Sequence, residues 1–285
     1  MSPEPSPETS PETSPSVRTE AVGPSMTALV RSELLKIRST RLWWAILIGA
    51  VLWTMLNAAI VAGTAGLEAG MGGQTSPGVD SPELLRTVYS AGFSGAYIFA
   101  MILGVTGMTG EYRYLTITPT FLVAPKRYPV VVAKLLAHVV MGLVYGVVAA
   151  IAAIAAGLPV VLLKGGDPGL LADGVPRAVL LSVVAVALWT LIGIGLGTLI
   201  KNQIAAILIG VVLAFLIEPL VNLLFSFLDS DLGKFLPTTA SQALLDPYSA
   251  GFALLEWWAG GLVLIGYAVV FSLIGVLFSV RRDIT

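Results

Sequence analysis

The sequence predicts an all-α integral membrane protein with six transmembrane helices, on three observations. Apolar residues make up 56% of the 285 residues and charged residues only 12%, against about 45–50% and about 25% in a soluble domain. Several apolar runs exceed the roughly 18 residues that cross a bilayer core as a helix. These runs are continuous, whereas a membrane barrel alternates apolar and polar positions. In lipid a helix satisfies its own backbone groups, so the runs read as spans.

Residues 1–25 repeat Pro, Ser, Glu and Thr with no apolar periodicity, the composition of a disordered tail. The tail is either regulatory or an upstream extension of a protein that starts at Met26. It has no apolar h-region, so no cleaved signal peptide is expected. Residues 26–41, MTALVRSELLKIRSTR, place Met26, Leu29, Val30, Leu34 and Ile37 on one helical arc, with Arg31, Lys36 and Arg38 mostly opposite. This is the pattern of an amphipathic interfacial helix on an anionic lipid surface. Glu33 intrudes on the apolar arc and is open to two readings, an i,i+3 pair with Lys36 or a contact to a partner protein.

The first span runs over residues 42–62 and is entered through Trp43 and Trp44, which suit the interfacial belt. Asn57 lies late in it, as an interhelical hydrogen-bonding group or a substrate contact. Residues 63–86 read as a Gly-rich loop. The second span, 87–109, carries Gly92, Ser94, Gly95, Gly104 and Gly107, small residues that predict burial inside the bundle. The third apolar run covers residues 130–163, about 50 Å as a helix. That exceeds the bilayer core, so its first turns, with Lys134 and His138, are expected to project into water.

A Gly/Pro/Asp loop at 164–176 leads to a fourth span at 177–200. Lys201, Asn202 and Gln203 turn tightly into a fifth at 204–227. Residues 229–256, with LPTTASQALLDP, form an amphipathic outer loop expected to hold short helices. The last span, 257–280, ends on Arg281 and Arg282. Only Arg86, Lys164, Arg177 and Lys234 fall on one side, against the other twelve of the 16 Lys and Arg. The excess places both termini and the 110–134 segment in the cytoplasm.

The chain has no cysteine and one histidine, which removes thiolate sites and paired-histidine metal motifs and disfavours a Ser-His-Asp site. His138 reads as a structural or interfacial residue. No phosphate loop of the form G-x-x-x-x-G-K-[ST] occurs, so ATP use requires a partner. Catalytic and metal-ligating residues are therefore not assigned. Glu218, followed by Pro219, is the intramembrane acid. It is either a substrate-pathway group or a residue carried to the outer interface by a helix break. Asn57 and Glu218 are the candidate substrate-pathway residues.

The largest charged and aromatic island is GEYRYLTITPTFLVAPKRYPVVVAK, residues 110–134. With RSELLKIRSTRLWW, LPTTASQALL and the RRD end, it resembles permease subunits of ATP-binding-cassette transporters of the type 2, exporter-like class. The likeness is closest to the six-span permeases common in actinobacteria and covers about residues 26–284. Leu115 departs from it, standing where such permeases often carry glycine.

The resemblance implies that the island is a coupling loop seated in a cytoplasmic ATPase subunit. Glu111, Tyr112, Arg113, Thr116, Thr118, Pro119, Phe121, Pro125, Lys126 and Arg127 would form that seat. It also implies that no cofactor is bound by this chain, ATP and Mg being held by the ATPase. The partners would be that ATPase, a second permease copy or sister permease, and plasma-membrane lipids. A secondary transporter would instead carry several buried charges and matched broken helices. A non-transporting anchor for a cytoplasmic ATPase would use the same island.

Overall fold

The computed structural model describes residues 25–66, 78–114, 127–228, 230–245 and 254–281, which are helical apart from short connections. Helix α1 (Met26–Ser39) leads into α2 (Leu42–Gly63), then a short α3 (Pro82–Tyr89) and α4 (Ala91–Arg113). After these come α5 (Arg127–Leu163), α6 (Val175–Leu199) and α7 (Gln203–Val212). A π-helical turn, Leu213–Ile217, joins α7 to α8 (Glu218–Phe227). A 3-10 turn (Asp231–Phe235), α9 (Pro237–Leu245) and α10 (Trp257–Arg281) complete the described chain. Among the described residues six stretches are long and apolar enough to cross a membrane: Leu42–Gly63, Pro82–Arg113, Tyr128–Leu163, Val175–Leu199, Gln203–Phe227 and Trp257–Ile274.

Helices α4 and α6 form the central pair, with α2, α5 and α10 packed around them. The small residues of α4 explain its place. A side chain at Gly104 would strike the Thr190 carbonyl of α6, and one at Gly193 would strike the Met101 carbonyl of α4. The two backbones therefore touch through reciprocal glycines, the close approach that drives association where lipid removes the hydrophobic incentive. Tyr97, Met101, Tyr145 and Trp189 fill the core around this contact.

Three sequence expectations need correction. The loop after the first span is shorter than residues 63–86, because Ser81 caps α3 by accepting from Leu84 N at 3.3 Å, with Pro82 at the first helical position. Both are standard helix-start chemistry. Arg86 is consequently buried within α3, 3.6 Å from Glu83, and is not a loop cation. Next, α4 continues through Gly110, Glu111, Tyr112 and Arg113, so the island begins inside a helix. Lastly, Lys134 and His138 do not project into water. They are 5% and 1% exposed: Glu33 of α1 pairs with Lys134, and His138 packs against Gly107 of α4.

The connections sort into two ends of the bundle. Helix α1, the C-terminus of α4, the N-terminus of α5 and the α6–α7 turn share one end. The α2–α3 and α5–α6 connections and α9 share the other.

Candidate functional site: an ion network at one end and a cavity near the other

Helix α1 is built to end where α2 begins. Ser25 caps it by accepting from Ala28 N at 3.3 Å, and Lys36 and Arg38 sit in its last turn, favoured by the helix dipole. The Trp43 indole donates to the Arg38 carbonyl at 3.2 Å, and the Tyr145 hydroxyl donates to the Trp43 carbonyl. Trp43 thus ties α1, α2 and α5 at one point.

This placement turns Glu33 inward, where it is 3% exposed. Its carboxylate pairs with Lys36 at 2.5 Å and Lys134 at 2.6 Å. Lys134 also pairs with Glu111 at 2.8 Å, and Lys36 reaches Glu111 at 3.4 Å. Two acids and two lysines from α1, α4 and α5 so form a closed, neutral ring. Burial alone would raise the Glu33 carboxyl; Lys134 and then Lys36 outweigh it and hold the group below its ordinary value. The i,i+3 pairing read from the sequence is present, and Lys134 completes it from a position 101 residues away.

His138 stacks beneath the ring. Its Nδ1 lies 2.8 Å from the Lys134 carbonyl, which assigns the proton to Nδ1. Its Nε2 abuts Gly107, where any side chain would collide with the imidazole. Glycine at 107 is thus a condition of the histidine's position.

The end of α4 also leans on the α6–α7 turn. Lys201 lies 6.0 Å from the Tyr112 ring centroid, and Arg113 lies 3.5 Å from the Gln203 side-chain oxygen. Of the residues expected to form the ATPase seat, Glu111 is buried, Tyr112 half-buried and Arg113 exposed. Arg127 opens α5. Thr116, Thr118, Pro119, Phe121, Pro125 and Lys126 lie outside the described residues. On α1, Arg31 and Arg38 are exposed, as is Lys36, whose amine bends back into the ring.

Near the other end, the structure brings Asn57 and Glu218 to the walls of one cavity of about 780 Å³. Helix α2 supplies Trp53 and Asn57, α4 supplies Phe93, Ser94 and Tyr97, and the π turn with α8 supplies Phe215 and Glu218. Thr238 of α9 caps Glu218, donating from its backbone N at 2.9 Å and from its hydroxyl, both to Oε2. Ser94 donates to Asn57 Oδ1 at 3.3 Å.

Pro219 does not break the fifth span. The Glu218 N–H bonds back five residues to the Leu213 carbonyl, widening one turn just before the proline. A wider turn makes room for the pyrrolidine ring, which would clash with the carbonyl four residues earlier in a regular helix.

Two features of this region escaped the sequence reading. Glu111 was grouped with an exposed loop, although a carboxylate one residue after a run of small residues was a signal that the helix continued inward. The convergence of Phe93, Tyr97 and Phe215 on Glu218 depends on tertiary packing and had no local signal.

Comparison with curated proteins returns no match. A family profile described as "ABC-2 family transporter protein" matches residues 29–217, from within α1 to the last residue of the π turn and so including the ion network. With six helices able to span a membrane, this makes the chain a multi-pass permease of the plasma membrane. The chain belongs to the ABC-2 family of transporter proteins.

Proposed function

We propose that this permease exports its substrate using ATP hydrolysed by a separate cytoplasmic subunit, and that the ATPase docks on the segment between α4 and α5. The observation that carries the reading is the attachment of that segment. Both helices that flank it enter the neutral ring, Glu111 from α4 and Lys134 from α5, and Glu33 and Lys36 bring in α1. Tyr112 and Arg113 extend the contact to the α6–α7 turn. A push on residues 115–126 would therefore reach α1, α4, α5 and α7 together. A lipid-facing loop has no need of such bracing.

The Lys/Arg excess on this end favours its facing the cytoplasm. Phe121 is the residue proposed to anchor in the ATPase, while Arg113, Lys126 and Arg127 steer the encounter. Glu111 belongs to the bracing rather than to the seat. A second copy or a sister permease would complete the transporter.

Co-expression with a candidate ABC ATPase, sought first in the reading frames neighbouring this chain's own, tests the reading. Phe121→Asp should abolish co-purification while leaving membrane insertion intact. Inside-out vesicles holding both proteins should accumulate substrate with ATP in a vanadate-sensitive manner. Retained co-purification of the variant defeats the docking assignment, and ATP-driven uptake only by right-side-out vesicles reverses the direction.

A further inference from the structure

We propose that the cavity before Glu218 binds an amphipathic organic monocation, its charged centre against the Glu218 carboxylate and its apolar body against the aromatic wall. The proposal rests on the reading of the chain as a permease and names the class of molecule it would carry. Three observations point to it.

Charge is the first. Glu218 is a half-buried acid within a membrane span, and among the described residues no lysine, arginine or histidine pairs with it. An intramembrane acid must be protonated, paired or turned to a polar cavity. Thr238 occupies Oε2, and no hydrogen bond is made to Oε1 among the described residues. Among the described residues no basic side chain lines the cavity, so the counter-charge of an ionised Glu218 would come from outside the protein.

The wall is the second. Phe93 and Tyr97 stack with ring centroids 4.9 Å apart, and Phe215 stands 6.2 Å from Tyr97. Trp53 adds a ring from α2. Aromatic faces attract cations through the ring quadrupole and accept hydrocarbon equally well. An acid beside such faces selects a positive head on an apolar body. An anion would meet repulsion from the carboxylate.

Size and access are the third. A volume of about 780 Å³ lies in the range of sites for drug-sized molecules. Helix α2 packs on α4 and α5 and does not pack closely on α8, so the space between α2 and α8 is the cavity's mouth. Trp53 and Phe215, both about half exposed, flank that mouth.

The chain alone, in nanodiscs of zwitterionic lipid, is dialysed to equilibrium against radiolabelled tetraphenylphosphonium and, separately, against tetraphenylborate. The two ions share one shape and carry opposite charge, and empty nanodiscs correct for partitioning into lipid. The cation should bind saturably and the anion should not. Glu218→Gln retains an acceptor for Thr238 and should weaken cation binding about tenfold, with Phe215→Leu costing about two- to fivefold. Equal binding of the two ions to the unmodified chain overturns the proposal, even if Glu218→Gln fails to fold. Unchanged cation affinity in a folded Glu218→Gln protein overturns it as well. No ATPase is present, so this experiment can fail while Phe121-dependent docking stands, and the reverse.

Discussion

Glu33 and Glu111 at one end of the bundle and Glu218 near the other are all carboxylates removed from bulk water, but their surroundings are opposite. The first two share Lys36 and Lys134 in a ring with no net charge. Glu218 has a threonine cap, a cavity and, among the described residues, no cation. A buried acid with its counter-charge built in holds helices together. A buried acid left without one contributes little to that and is available to a ligand. The contrast separates bracing from recognition within one bundle.

Breaking the ring is expected to give the largest effect. Lys134→Met leaves two carboxylates with one exposed lysine and should cost about 3–5 kcal/mol, read as a fall in melting temperature in detergent. Adding Glu33→Gln should recover part of the loss, because one uncompensated charge goes and the Lys36–Glu111 pair remains. Acid attacks the same point. The folded pKa of Glu33 lies below its ordinary value of 4.5, so its stabilisation is full above that value and is lost as pH falls through the folded pKa. Glu33→Gln should flatten the acid limb of the stability profile; an unchanged limb would show that Glu33 contributes nothing there.

Smaller effects sharpen the contrast. Gly104→Leu drives a side chain into the Thr190 carbonyl and should cost about 1–3 kcal/mol by overpacking, measured by the same melting assay. Ser94→Ala removes one interhelical hydrogen bond, with an expected loss of about 0.6 kcal/mol. Glu218→Gln should be the mildest of all, within about 0.5 kcal/mol of the unmodified protein. A large destabilisation by Glu218→Gln would mean that this acid braces the fold as Glu33 does, and the distinction between the two ends would fall.

Much of this arrangement was legible in the sequence, for identifiable reasons. The spans announce themselves by hydropathy, and the glycines of α4 forecast its burial because few other roles suit so many small residues in one helix. Glu33 was conspicuous as an acid on an apolar arc. Its second partner was not, since Lys134 lies beyond α4 and a long connection. The error over Lys134 and His138 came from setting helix length against bilayer thickness without the cover that α1 and α4 supply. The start of α3 has a local signal in Ser81-Pro82, which the reading of residues 63–86 as a Gly-rich loop did not use. Asn57 and Glu218 were each picked out singly as polar groups in spans, whereas their shared cavity required the packing of α2, α4, α8 and α9.

The π turn before Pro219 sets where Glu218 points. A π turn holds one residue more than an α turn, so every position after it is rotated by about 100° relative to an uninterrupted helix. The direction of the carboxylate is thus fixed by counting, and no neighbour's chemistry can substitute for the count. If the turn relaxed to a regular α-helix with all its residues kept, the proline ring would press on the carbonyl four residues back and Glu218 would swing about a quarter turn away from the aromatic wall. The same 25 side chains of the fifth span would still cross the membrane, with their one acid facing the wrong way.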